Sequence, residues 1–426
     1  MRRPDPTAMR RRTLQLLGAV GLPAWPRLGT GATAAPLGAP APSPAMLATP
    51  ATPATPPPGA GRWPGVPHRH PPADPLRRLA FPRDFGAHPD FRTEWWYATG
   101  WLTSGSGSPM GFQVTFFRVR TTQPAANPSR FAPTQLLFAH AALMVPARAR
   151  PLHAQRAARL GTPGARLGVG DTDVAIGDWT FARDTSDRYR TRIAADDFAL
   201  DLVLVPPDPA PWLQGDDGFS RKGPQPGQAS HYYSRPQLAV DGSVRFRSPA
   251  PHRGSAPGGD GPATAGAALP VRGTAWFDHE WSTTVLDPSA EGWDWTGINF
   301  DDGSALVAFR IRRKRAPNEP DRDATLWSDA ARWFPDGRRQ SIGAVEFTPT
   351  RTWRSPRSGA RYPVALRIRG PGLDLALEPL FDDQELDGRT STGVIYWEGA
   401  VVASSGGSRI GAGYLELTGY QAALRL

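Results

Sequence analysis

The segment Trp276-Phe277-Asp278-His279-Glu280-Trp281 places three ionisable side chains at consecutive positions. On an extended strand neighbouring side chains point to opposite faces, so Asp278 and Glu280 share one face and His279 takes the other. Two carboxyls on one face raise the proton affinity of one of them, as a general acid requires. The same pair could hold a divalent cation or form a structural polar belt at a barrel mouth. A second group, His88-Pro89-Asp90-Phe91-Arg92-Thr93-Glu94-Trp95-Trp96-Tyr97, sets a glutamate beside three aromatic residues. A carboxylate in an apolar wall needs a partner or a task. Glu94 is either an acid in a hydrophobic pocket or one half of a barrel-closing pair with Arg92. In Gly292-Trp293-Asp294-Trp295-Thr296-Gly297, both indoles face one side and Asp294 the other.

The candidate catalytic set is therefore Asp278, His279, Glu280, Asp294 and Glu94. Trp95, Trp96, Tyr97, His140, Trp281, Trp293, Trp295 and Asn299 are candidate walls for a substrate. His140, alone in Phe138-Ala139-His140-Ala141, also suits a hydrogen-bonded barrel position. Asp301-Asp302-Gly303 reads as a hairpin turn. The paired-histidine metalloprotease motif, the nucleophile elbow, the phosphate-binding glycine loop and the dinucleotide fingerprint do not occur. With 0 Cys, thiolate metal sites and cysteine nucleophiles are excluded as well. The residues thus point to acid–base chemistry with no cofactor and no metal.

These residues must be positioned by strands. Beyond Phe81 the chain is a series of short aromatic and β-branched runs broken by Gly, Pro, Asp and Asn. Glu94 to Leu102 and Met110 to Val119 form a predicted hairpin. Further strands are expected at 136–145, 173–182, 189–194, 198–205, 242–246, 271–277, 292–300, 305–312, 344–348, 362–368, 374–379, 393–402 and 410–417. A Gly/Ala/Pro-rich stretch, Arg253 to Pro270, reads as a disordered loop. So many short strands exceed one barrel, and two consecutive antiparallel β-barrels in an all-β protein accommodate them. The division expected is 81–284 and 285–426.

The chain has 426 residues and a formal charge of +10. Half of that excess lies in residues 1–34, where Arg2, Arg3, Arg10, Arg11, Arg12 and Arg27 face Asp5 alone. No dense basic stripe with interleaved aromatics follows, which argues against nucleic-acid binding. Lysine occurs only at Lys222 and Lys314. The order Arg10-Arg11-Arg12-Thr13-Leu14-Gln15, a modest apolar stretch and Ala32-Thr33-Ala34 is a secretory layout that resembles a twin-arginine signal. Residues 35–80, rich in Pro and Ala, read as a disordered tether. The mature chain is expected to begin near Ala35 and to be periplasmic or secreted.

Four segments carry a family resemblance: His88 to Leu102, Ala275 to Trp281, Gly292 to Gly303, and the closing pair Tyr396-Trp397-Glu398-Gly399-Ala400-Val401 and Gly413-Tyr414-Leu415-Glu416-Leu417-Thr418-Gly419-Tyr420. Together they resemble the lipocalin-like AttH and carotenoid 1,2-hydratase superfamily, whose members are often labelled secreted hydrolases. The resemblance spans about Phe81 to Tyr420 and implies two consecutive lipocalin-like barrels. It also implies addition of water to an alkene of a carotenoid, or hydration or hydrolysis of another apolar isoprenoid or lipid, by acid–base catalysis. His279-Glu280-Trp281 matches the hydratases' His-x-Trp, while their Tyr-x-Asp has no counterpart at a suitable distance after it. The alternative is a non-catalytic binder of hydrophobic ligands in the envelope, meeting an ABC transporter or the membrane surface as its partner.

Overall fold

The computed structural model describes residues 70–424, apart from 124–126, 128–131, 209, 248–265, 285 and 314–323. The export segment, most of the Pro-rich tether and most of the Arg253–Pro270 stretch lie outside these residues. The described residues all belong to the unit Trp63–Leu426. Among them the chain is all-β, with isolated single 3-10 turns and no α-helix.

The first sheet is built from β1 (Thr93–Ser104), β2 (Pro109–Arg120), β3 (Gln135–Met144), β4 (Leu152–Arg159), β5 (Ala165–Leu167), β6 (Asp173–Ile176), β7 (Trp179–Arg183), β8 (Tyr189–Ala194), β9 (Phe198–Val205), β10 (Trp212–Leu213), β11 (Phe219–Arg221), β12 (Ala229–Phe246) and β13 (Leu269–Thr284). The second contains β14 (Ala290–Phe300), β15 (Ala305–Arg313), β16 (Thr325–Trp333), β17 (Arg339–Ser341), β18 (Glu346–Arg354), β19 (Arg361–Gly370), β20 (Leu373–Pro379), β21 (Glu385–Asp387), β22 (Ile395–Ser405) and β23 (Ser408–Leu417). All pairings are antiparallel. The first sheet runs β4-β3-β2-β1-β13-β12-β9-β8-β7-β6-β5, and the second β17-β16-β15-β14-β23-β22-β20-β19-β18. These are two lipocalin-like sheets, each curled over its own apolar core. Arg156 on β4 helps close the first: its guanidinium reaches the carbonyls of Ile176 and Ala194 and lies 4.6 Å over Trp179.

Strand alternation decides which residues go where. In the first sheet Trp96, Ala98, Phe116, Leu137, Phe277 and Trp281 enter the core on one face. In the second, Ile298, Leu306, Trp397, Leu415 and Leu417 do the same. The opposite faces meet each other through a third cluster that includes Tyr97, Trp276, Trp295, Phe309 and Tyr414. Trp101 Nε1 donates to the Gly413 carbonyl at 2.9 Å, and Asn299 Nδ2 to that of Ala275 at 3.1 Å. Gly111 permits the approach, because a Cβ there would lie 2.7 Å from both Ala400 Cβ and Tyr414 Oη.

One sequence expectation needs correction. The end of the 35–80 tether, from residue 70 on, is packed against the first sheet. Ala73 is buried, Thr283 donates to the Pro71 carbonyl at 2.6 Å, and Arg77 reaches Asp84 at 3.0 Å. Proline content concealed these anchors.

Candidate active site between the two sheets

A cavity of about 340 Å3 opens between the two facing sheets, within the range of small-molecule sites, and its lining is largely apolar. Register assembles its first wall. Trp95 and Tyr97 on β1 lie opposite Phe117 and Thr115 on β2, and opposite Glu280 and Asp278 on β13. His140 on β3 continues the row beyond Thr115. The second wall comes from Trp293 and Trp295 on β14, Phe309 and Ile311 on β15, Tyr396 and Glu398 on β22, and Glu416 on β23.

The chamber therefore lies between the barrels, a place that neither a hydrophobic pocket around Glu94 nor a polar belt at a barrel mouth anticipates. The barrel interiors are filled by side chains. This divides most of the candidate residues: Asp278, Glu280, Trp95, Tyr97, His140, Trp293 and Trp295 line the cavity, and Glu94 borders it as well. His279, Trp96, Trp281 and Asp294 stand on the core faces, and the Glu94 carboxylate is tied up in the first core. Asn299 serves as a clamp between the sheets, accepting from Gln237 N at 3.0 Å.

The core-facing ionisable groups form closed networks. Glu94 Oε1 meets His88 Nδ1 at 2.8 Å and His279 Nε2 at 2.9 Å, while Arg118 Nε donates to Oε2 at 2.8 Å. Burial alone would raise the Glu94 pKa, but these two histidines and the guanidinium hold it well below the usual carboxylate range. Arg92 is not the partner; Arg118 is. Burial lowers His279 to about 4, so neutral Nε2–H donates to Glu94 and Nδ1 accepts from Tyr233. Trp96 and Trp281 pack as planes on His279 and His88, at 4.8 and 3.6 Å. His88, Glu94 and His279 have the donor types of a metal site. Their donor atoms are engaged with one another, however, and the guanidinium on the same carboxylate opposes a cation. The second core repeats the device. Asp294 receives Arg310 Nε at 2.6 Å, Arg312 Nε at 3.0 Å and the Tyr420 hydroxyl at 3.0 Å, and its pKa is lowered despite burial.

The cavity-facing carboxyls behave oppositely. Burial pushes Asp278 up to about 7, against hydrogen bonds from Ser234, Trp276 and Tyr232, with the Glu280 charge adding to the rise. Ser234 Oγ and Trp276 Nε1 both donate to Oδ1, the indole at 2.7 Å. On the other wall Glu398 and Glu416 are directly opposed across the β22–β23 ladder. Burial raises Glu398 well above the usual range and the Glu416 charge raises it further. Burial likewise raises Glu416 to about 7, against a 2.9 Å hydrogen bond from Trp293 Nε1. Near neutral pH these three carboxyls are therefore not all ionised.

Sequence reasoning missed Glu398, Glu416 and Lys222. The signal was present: Tyr396-Trp397-Glu398 and Tyr414-Leu415-Glu416 are alternating Tyr-x-Glu segments, and Lys222 is one of two lysines in the chain.

His140 joins the walls. Gln155 Nε2 donates to the Asp387 carbonyl at 2.7 Å, so its Oε1 accepts from Ser391 Oγ at 2.6 Å. Ser391 must then accept from His140 Nε2 at 2.7 Å, and His140 Nδ1 accepts from Tyr396 at 2.7 Å. In this tautomer His140 cannot deprotonate Ser391, which argues against a serine nucleophile. Burial lowers its pKa to about 3, so it stays neutral.

Two curled antiparallel sheets facing each other across an acid-bearing apolar chamber define a double lipocalin-like protein with a hydratase-like fold. The chain belongs to the AttH-like family, whose family model matches residues 72–420. It is 47% identical to an AttH protein from Nitrosomonas europaea known from a crystal structure, covering 82% of this chain and 99% of that one with a TM-score of 0.72. It shares its fold with kievitone hydratase from Nectria haematococca at 17% identity, covering 83% of this chain and 96% of that one with a TM-score of 0.56. No curated protein matches.

Proposed function

We propose that the protein is a hydratase for an apolar alkene of isoprenoid or lipid type, working by acid–base catalysis in the inter-sheet cavity. The observation that carries this reading is the presence of raised-pKa carboxyls on both walls of one apolar space. Asp278 gives its proton to one alkene carbon, and the π bond's electrons form the new C–H bond. The neighbouring carbon becomes a tertiary cation, which the faces of Trp95, Tyr97 and Trp295 stabilise. Water adds through oxygen, and the ionised member of the Glu398/Glu416 pair takes its surplus proton. The product is a tertiary alcohol. Returning that proton to Asp278 restores the enzyme. The hydratase activity in the name of the kievitone relative supports this class of reaction.

The test is incubation of the purified protein with isoprenoid alkenes in isotopically labelled water. Labelled alcohol that disappears with Asp278→Asn supports the reading. Recovery of unchanged ligand favours a carrier that shelters an apolar molecule, the alternative suggested by the mostly hydrocarbon lining. Export by the twin-arginine route is part of the proposal and rests on the basic N-terminal segment; sequencing the mature N-terminus from the native host tests it.

A further inference from the structure

Lys222 is the cavity's mobile-stemmed cation, and its placement calls for an explanation beyond packing. The chain uses arginine almost throughout, with Lys222 one of only two lysines. The side chain is buried beside the acid wall. Its Nζ lies 3.1 Å from Glu280 Oε1 and stands 4.6 Å from the Tyr232 ring centroid and 4.3 Å from that of Phe309, one ring from each sheet. An ammonium carries three N–H donors. Glu280 meets it from one side, and ring faces attract the charge without supplying a lone pair equal to an oxygen's. With Glu280 already balancing its charge, the ammonium suits a neutral acceptor oxygen better than a second anion.

We infer that the ligand of this cavity is an oxygenated amphiphile, an apolar molecule with a carbonyl or hydroxyl oxygen seated on Lys222, rather than a pure hydrocarbon. Lys222 is then the residue that selects the ligand and fixes which end of it faces Asp278. The inference rests on the cavity being the ligand site, as proposed above, and narrows the substrate class.

Competition against bound diphenylhexatriene tests it with two probes: geranylacetone, an isoprenoid ketone, and the alkene of the same skeleton lacking the carbonyl. The ketone should bind at least about tenfold more tightly, the size expected of a hydrogen bond from a charged donor. The double variant Lys222→Gln/Glu280→Gln, which keeps an amide pair in place of the ion pair, should lose that advantage. In the wild-type protein the bound ketone's carbonyl stretch should move to lower frequency than in hydrocarbon solvent, a readout that requires no variant to fold. Equal affinity for the two probes, an unshifted carbonyl stretch, or a preference that survives in the double variant overturns the role of Lys222 while leaving the cavity as a ligand site. Failure of both probes to compete removes the cavity reading and this inference with it.

Discussion

Asp278 and His279 are neighbours in sequence and are separated by the thickness of a sheet: the first carboxyl faces the cavity, and the second side chain is bonded to Glu94 inside the first core. The pleat gives them opposite tasks. Because Asp278 is raised to about 7 in the folded protein, the unfolded chain releases that proton more readily. Its contribution to stability is fully present below the unfolded pKa near 4 and is lost as pH rises towards 7. Asp278→Asn removes this dependence. Relative to wild type, the variant should gain on the order of 2–4 kcal/mol between pH 4 and pH 8. Urea unfolding at both pH values measures it, and a pH-independent difference would mean that folding does not raise the Asp278 pKa.

Glu94 and Asp294 should respond in the opposite sense. Their pKa values are depressed, so their stabilisation is present above the ordinary carboxylate range and is lost as pH falls through the lowered values. Glu94→Gln and Asp294→Asn each remove a carboxylate that balances buried guanidinium charge and should cost about 3–5 kcal/mol at pH 7. Denaturant midpoints give the cost. Binding of the hydrocarbon probe by the folded fraction should persist, and its selective loss in a stable variant would return these carboxyls to the site.

Ser391→Ala should leave any turnover of an apolar substrate within about threefold of wild type, since the hydroxyl is a bridge in a chain running from Tyr396 to Asp387. Steady-state rates decide. A loss of several orders of magnitude would instead make Ser391 a nucleophile.

Gly111→Val tests how the sheets meet. A Cβ at this position would crowd Ala400 and the Tyr414 hydroxyl, so the branched side chain should force the walls apart. About 1–3 kcal/mol of destabilisation is expected, together with weaker probe binding. Unchanged affinity in a folded variant would show that the seam tolerates a wider gap.

Much of the architecture was legible because aromatic and β-branched residues alternate at period two between turn residues. That same alternation correctly separates Asp278 and Glu280 from His279, and Trp293 and Trp295 from Asp294. It could not say which face would be cavity and which core, because both are lined by aromatic residues. Trp96 and Trp281 look as suited to a ligand as Trp95, yet they cover histidines in the first core. Glu94 illustrates the other limit. Its partner Arg118 lies on the next strand, opposite it in register, and local spacing suggests Arg92 instead. Lys222 belongs to a loop leaving a three-residue strand, where no periodicity marks it.

Placing the chamber on the seam separates two demands on the sequence. Each curled sheet has a buried core of its own, distinct from the cluster that joins the two, so side chains lining the chamber can be exchanged without entering either core. A protein built this way can acquire a new guest or a new reaction by altering a few seam positions, while the two halves continue to fold as before.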